Sequence, residues 1–287
     1  MNYRHAVRAV AAGDIGTART RDGLELRTYR WPSRVATRAH LLLIHGIAEH
    51  AGRHAQVASR LGSSGIETHA FDLRGFGESG GPEAYVDRWS RYHDDVEDQL
   101  GEIRANSGGL PLVLYGHSMG GLIALGYVLS DSPRPQPDLL VLSAPAIAGA
   151  VPLWKRILAG ILGRLAPRLE IRNALPRGGL SHDPEIDEMY RSDPLNRHST
   201  TTRLGLELFR EQARVQKRLA GLGKLPVPTY VLHGSADRII PVTATAPLEG
   251  MGNATRRVYD GLRHEMHNEA DAAAIGGDTI AWIEAHI

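Results

Sequence analysis

The sequence predicts an α/β protein: a mostly parallel, doubly wound sheet with an N-terminal antiparallel hairpin and an inserted helical cap. Three observations carry this. Short apolar runs recur along the 287 residues with helix-like stretches between them, as strands buried on both faces of a parallel sheet require. An Asp22-Gly23 turn signal splits TARTRDGLELRTYR into two alternating halves, the pattern of a hairpin. About eighty residues separate the strand ending near Ala144 from the one starting near Val227, too many for an ordinary connection.

Taken in order, the hairpin leads into HLLLIHG (40–46), IETHAFD (66–72), LPLVLYG (110–116), DLLVLSA (138–144) and VPTYVLHG (227–234). Helical patterns fill 51–62, 90–105, 119–130 and 268–286, so right-handed βαβ crossovers are expected. A further strand-like segment, ATRRVYDG, precedes the last helix. Within the long connection, Leu153, Trp154, Ile157, Leu158, Ile161, Leu162 and Leu165 form a stripe at helical spacing, flanked by Lys155, Arg156, Arg164 and Arg168. The expectation is one domain over 1–287 with a mainly helical cap at 146–222. A plain core-facing helix accounts for the stripe equally well.

Composition excludes several classes of function. Thirty-three Lys+Arg against 32 Asp+Glu leave a formal charge of +1, which offers nothing to nucleic acid or to an anionic membrane. Zero cysteine removes disulfides, thiolate metal sites and a cysteine nucleophile. Hydrophobic residues at 42% and charged ones at 23% fit a globular chain. Arg4 and Arg8 interrupt any signal-peptide core. The uncharged stretch Leu139–Trp154 contains Pro145 and Pro152 and is short of the roughly 20 residues a span needs. A cytoplasmic protein is the expectation.

The chemistry concentrates in Gly116-His117-Ser118-Met119-Gly120, directly after one strand pattern and before a helical one. In G-x-S-x-G the serine sits on a tight turn that lifts its hydroxyl above the sheet. Serine needs a base to take its proton, and the base needs an orienting acid. On this fold the order is serine, acid, histidine. Asp237 follows one strand and His264 the next, so all three fall where open α/β sheets place their sites. Any one of them alone would more often be a turn former or a surface group. Ile44-His45-Gly46-Ile47 after the first parallel strand fits an oxyanion loop, with the backbone N–H groups of Ile47 and Met119 as expected donors.

With HGIAEHAGRH, FDLRGFGESGG, GHSMGG, SHDPEIDEMYRSDPL, LHGSADRIIP and YDGLRHEMHNE, the chain resembles the monoacylglycerol lipase and lysophospholipase-like group of α/β hydrolases. The likeness runs from about residue 20 to the C-terminus, cap included. It implies a serine hydrolase of monoacylglycerols or similar acyl esters, with Ser118, Asp237 and His264 as triad and a cap lining an acyl channel or resting on a membrane or micelle. It also implies a polar-head role for Glu49, Arg53 and His267, with Tyr190 and Asp193 as weaker candidates for the same pocket. A surface ion pair accounts for Glu49 and Arg53 equally well. The absence of cysteine departs from animal members and implies that thiol reagents should not inhibit.

Other readings weigh less. Gly75-Phe76-Gly77-Glu78-Ser79-Gly80 spells a dinucleotide fingerprint, but Gly81-Pro82 and a polar loop follow where a helix would have to open. Fourteen histidines raise the question of a metal, yet His50/His54 and His264/His267 lack companions at ligand spacing, so no metal and no cofactor are expected. A serine amidase or aminopeptidase uses the same triad and stays open as an alternative. A non-catalytic ligand-binding relative is disfavoured by the intact Ser118, Asp237 and His264. Epoxide hydrolase and dehalogenase chemistry needs a carboxylate where Ser118 stands.

Overall fold

The computed structural model describes residues 13–149, 151–173 and 175–287. Arg4 and Arg8, on which the reading against an export signal rests, lie outside the described residues. Ten strands follow in chain order: β1 (Asp14–Arg19), β2 (Glu25–Trp31), β3 (Ala39–Ile44), β4 (Ile66–Phe71), β5 (Leu112–His117), β6 (Leu139–Ser143), β7 (Glu170–Arg172), β8 (Ser199–Thr201), β9 (Lys224–Gly234) and β10 (Gly252–Tyr259). Eight of them form one sheet in the order β1-β2-β4-β3-β5-β6-β9-β10. β1 and β2 pair antiparallel, as does β2 with β4, and every pair from β4 to β10 is parallel. The expected hairpin and doubly wound sheet are both present.

Alternate side chains explain why the central strands read as unbroken apolar runs. Leu42 and Ile44 of β3 join one core cluster, with Leu114, Leu140 and Val231, while Leu41 and Leu43 join the other, with Val113 and Val141. A period of two sends neighbours to opposite faces, and helices cover both. The first face carries α2 (Ser90–Asn106) and α3 (Met119–Val128); the second carries α1 (Ala55–Gly62) and α7 (Ala272–Glu284). All ten residues of α3 are buried.

One local departure has a physical cause that also explains an expected loop. The helical pattern at 51–62 splits into a 3₁₀ turn, Ala51–His54, followed by α1. The Asp72 carboxylate accepts from Ala51 N–H at 2.8 Å and from Glu78 N–H at 2.9 Å, which fixes how the chain enters that turn. The same aspartate explains the Gly75–Gly80 stretch: Gly77 has φ +53, and a Cβ there would collide with the Asp72 carboxylate. No helix opens until Ser90, so the glycines shape a loop.

Between β6 and β9 come α4 (Leu153–Leu165), β7, α5 (Pro184–Ser192), β8 and α6 (Thr202–Ala220). β7 and β8 pair antiparallel as a separate two-stranded ribbon, which the sequence pattern did not suggest. α6 is amphipathic, and Leu204, Val215 and Leu219 pack into the first core cluster. α4 lies outside α6, and a Cβ at Gly163 would meet Leu206 at 2.7 Å and the Thr202 carbonyl at 2.8 Å. The core-facing reading of the apolar stripe is therefore overturned: Gly163 is the one buried residue of α4, and Leu153, Trp154 and Leu165 are 73, 62 and 81% exposed. Among the described residues no helix is long and apolar enough to cross a membrane.

Candidate active site

Ser118 sits between β5 and α3 with φ 54 and ψ −117, a left-handed conformation that a side chain rarely adopts. Neighbouring contacts hold it there. Its N–H donates to the Ser143 carbonyl at 2.9 Å, and its own carbonyl accepts from Leu122 at 3.2 Å and Ala146 at 2.9 Å. The flanking glycines are obligatory by packing. A Cβ on Gly116 would meet Gly121 Cα at 2.7 Å, and one on Gly120 would meet the His45 carbonyl at 2.5 Å. The motif thus trades side-chain volume for a close crossing of strand, turn and helix. The hydroxyl is delivered into a cleft of about 270 Å³ that His264 also lines.

Asp237 and His264 meet from two separate loops. Asp237 follows β9 and His264 follows β10; Asp237 Oδ2 and His264 Nδ1 are 2.7 Å apart. The other carboxylate oxygen accepts from the N–H groups of Ile239 at 2.8 Å and Ile240 at 2.9 Å. Burial alone would raise the Asp237 carboxyl. The opposing charge of His264, hydrogen bonds from His233 and His264 and the Ile240 N–H outweigh it and hold the group well below its usual range. For His264, burial works toward the neutral ring, but the Asp237 charge and hydrogen bond win and raise it above 6.5. Nδ1 is therefore the donor toward Asp237, and Nε2 is left for substrate chemistry.

The loop after β3 is pinned from below and above. His45 Nε2 accepts from Leu73 N–H at 2.8 Å, so Nδ1 must carry the proton it donates to the Gly46 carbonyl at 2.7 Å. Glu49 accepts from Gly46 N–H at 2.6 Å. Ala48 has φ 64, and its carbonyl accepts from Tyr190 Oη at 3.1 Å and Arg197 N–H at 3.0 Å, both from the segment between β6 and β9. Ile47 lines the cleft. Met119 is the first residue of α3, where the backbone N–H has no partner within the helix.

The expected polar-head residues divide. Glu49 and Tyr190 line the cleft. Arg53, His267 and Asp193 do not, and each has a local reason. Arg53 is half-buried and spent on two carboxylates, Glu265 at 2.7 Å and Glu49 at 3.0 Å. This is a network of two buried carboxylates and a half-buried guanidinium beside the loop after β3, not a pair on an exposed surface. His267 packs behind the cleft, its ring tilted 4.9 Å from His54 and edge-on 5.2 Å from His117, and burial pushes it well below its ordinary value. Asp193 faces another pocket and bonds His50 Nε2 at 2.9 Å.

Several site residues carried no sequence signal of their own. His117, the variable position of the serine motif, lies with its ring 4.8 Å from His264. His233 Nε2 reaches both Asp237 at 3.2 Å and the Ile240 carbonyl at 3.0 Å, bracing the Asp237 carboxylate. Arg238, Leu175 and Leu180 complete the mouth of the cleft. Only the folded arrangement brings these together. Among the described residues the one cluster with metal-ligand geometry lies elsewhere, on β3 and β4.

The family model described as Serine aminopeptidase, S33, matches residues 35–271. A monoacylglycerol lipase of Mycolicibacterium smegmatis is 33% identical over 272 residues, covering 90% of this chain and 92% of the relative. The monoglyceride lipase of Homo sapiens is 28% identical, over 86% of this chain and 82% of its own. Among solved structures, the Paleococcus ferrophilus monoacylglycerol lipase superposes with a TM-score of 0.81 at 26% identity, covering 91% of this chain and 99% of that one. A Saccharomyces cerevisiae monoglyceride lipase variant in complex with a substrate analogue gives 0.83 at 24%, covering 96% and 95%, a likeness of fold.

Proposed function

The chain belongs to the serine aminopeptidase S33 family of α/β hydrolases, in its monoacylglycerol lipase-like group, and from that premise we propose that it is a carboxylic-ester hydrolase of monoacylglycerols and similar acyl esters. The observation that carries the reading is the 2.7 Å contact of Asp237 with His264 Nδ1, in a cleft that His264 shares with the left-handed Ser118. Ser118 Oγ attacks the ester carbonyl as its proton passes to His264 Nε2. The oxyanion is held by the N–H groups of Ile47 and Met119, each such donor being worth about 10²–10³ in rate. Collapse transfers the proton from His264 to the departing glycerol oxygen and leaves an acyl-Ser118. Water, deprotonated by His264, then releases the fatty acid and restores the hydroxyl.

Glu49 and Tyr190 sit at the cleft, yet their polar atoms are used on Gly46, Arg53, His54 and Ala48. Their role in this reading is to hold the oxyanion loop in place; polar-head contact is secondary. The outward face of α4, with exposed Lys155 beside Trp154 and Ile157, supports contact with a lipid surface or micelle. The segment 146–222 acts as the cap, and the whole chain as one hydrolase unit.

Peptide-bond cleavage is the second reading, favoured by the family description itself. A panel of monoacyl, diacyl, triacyl and lysophospholipid esters, run beside amino-acid amides, decides between them. Monoacylglycerol turnover with fluorophosphonate labelling of Ser118 is the expected result. Amide turnover exceeding ester turnover would replace the first reading, and failure to label Ser118 would remove both.

A further inference from the structure

At the N-terminal ends of β3 and β4, away from the cleft, three side chains converge. The parallel register sets His40 opposite Glu67, and His69 lies two residues on, so all three share one face of the sheet. His40 Nδ1 is 3.2 Å from His69 Nε2. Glu67 Oε1 is 3.3 Å from His69 Nε2 and 3.7 Å from His40 Nδ1. A tetrahedral cation with bonds of about 2.0–2.1 Å holds its ligand atoms about 3.3–3.4 Å apart. The three separations bracket that value.

We propose that His40, Glu67 and His69 form a binding site for a divalent transition cation such as zinc, separate from the hydrolytic cleft. Two imidazoles and one carboxylate suit such an ion better than calcium or magnesium, which prefer all-oxygen shells. His40 and Glu67 are buried, and burial favours the unprotonated rings a metal requires, with His69 pushed down to about 4. The cavity facing the cluster has about 440 Å³ and is walled by Gln99, Glu102 and Asn106 of α2, which leaves room for water at a fourth position.

Arg30 is the resident competitor. Its Nε donates to Glu67 Oε1 at 2.8 Å. Its side chain is 53% exposed and already lies 3.9 Å from Asp14, so it has another acidic partner to turn toward. His40 stands four residues before the end of β3, about 13 Å along the strand at 3.3 Å per residue. A cation there would tie β3 to β4 and leave ester hydrolysis intact.

Equilibrium dialysis of the chelator-treated chain against zinc, together with the visible absorption of its cobalt form, tests this. The expected result is one zinc per chain, a tetrahedral cobalt spectrum and a raised Tm with zinc. His40→Ala and His69→Ala should each weaken binding by about 100-fold while fluorophosphonate labelling of Ser118 confirms that they fold. His198→Ala, at an exposed histidine, should change nothing, and Arg30→Met should tighten binding by about tenfold by removing the competing charge. No stoichiometric zinc, or binding that survives both histidine variants, would overturn the site and leave Arg30, His40, Glu67 and His69 as a hydrogen-bonded network. A labelling-negative histidine variant is replaced by Glu67→Gln, judged by the same dialysis.

Discussion

Two apolar helices of this molecule have opposite fates. α3, MGGLIALGYV, is buried at every position, between the sheet and α6. α4, LWKRILAGILGRL, keeps a comparable run of large apolar residues in the open, with Gly163 alone buried. The difference is positional. α3 begins at the serine turn and is clamped by the crossing of β3, β5 and β6. α4 hangs on the outside of α6, its apolar face turned away from the protein. One helix converts hydrophobic area into rigidity under Ser118. The other leaves that area exposed, where the proposed contact with a lipid layer would form.

The contrast is open to attack in descending order of effect. At the head of α3, Ser118→Ala should lower kcat by about 10⁶, with folding unchanged by circular dichroism; near-normal turnover would detach the buried helix from the chemistry. Asp237→Asn should preserve the geometry yet cost about 10⁴ in kcat, because the imidazole loses the partner that fixes its tautomer. Within α3, Leu122→Ala should destabilise the fold by about 2–5 kcal/mol in denaturant titration. The matching change in α4, Leu158→Ala at a residue 44% exposed, should alter stability by no more than about 0.5 kcal/mol. Trp154→Glu should likewise spare stability but reduce binding to lipid vesicles in a flotation assay. Equal stability losses in α3 and α4 would erase the distinction.

Acidity offers a further probe of the buried end. In the proposed mechanism the base must be neutral to accept the serine proton, and His264 is raised above 6.5 by Asp237. Activity should therefore fall as pH drops, with a midpoint above 6.5, and Asp237→Asn should move that midpoint down. The stability signs run the other way for the base. The His264 contribution is complete below the unfolded value of 6.5 and fades as pH rises through the folded one. The depressed Asp237 contributes above 3.8 and is lost as pH falls. A pH–rate profile of kcat/KM beside a pH–stability curve reads both.

Much of this was legible in the chain because the relevant signals are local. Apolar runs, a hairpin turn and G-x-S-x-G each occupy a few residues, and strand ends locate Asp237 and His264 through a topology rule. The order of groups along the chain was enough to nominate the triad. Pairwise burial was not available in the same way. That Arg53 is neutralised between Glu49 and Glu265, that His267 lies behind the cleft, and that Asp193 turns to His50 depend on contacts up to 212 residues apart.

The sequence by itself determined the α/β class, the serine turn and the order of the proposed triad, since backbone sterics and strand periodicity act within a few residues. Tertiary structure alone decided which way the stripe of α4 faces, which polar residues reach the cleft, and that His40, Glu67 and His69 meet. Those outcomes depend on which elements become neighbours and which side chains lose water. Periodicity shows that a helix has an apolar face, and only packing shows whether that face finds a partner.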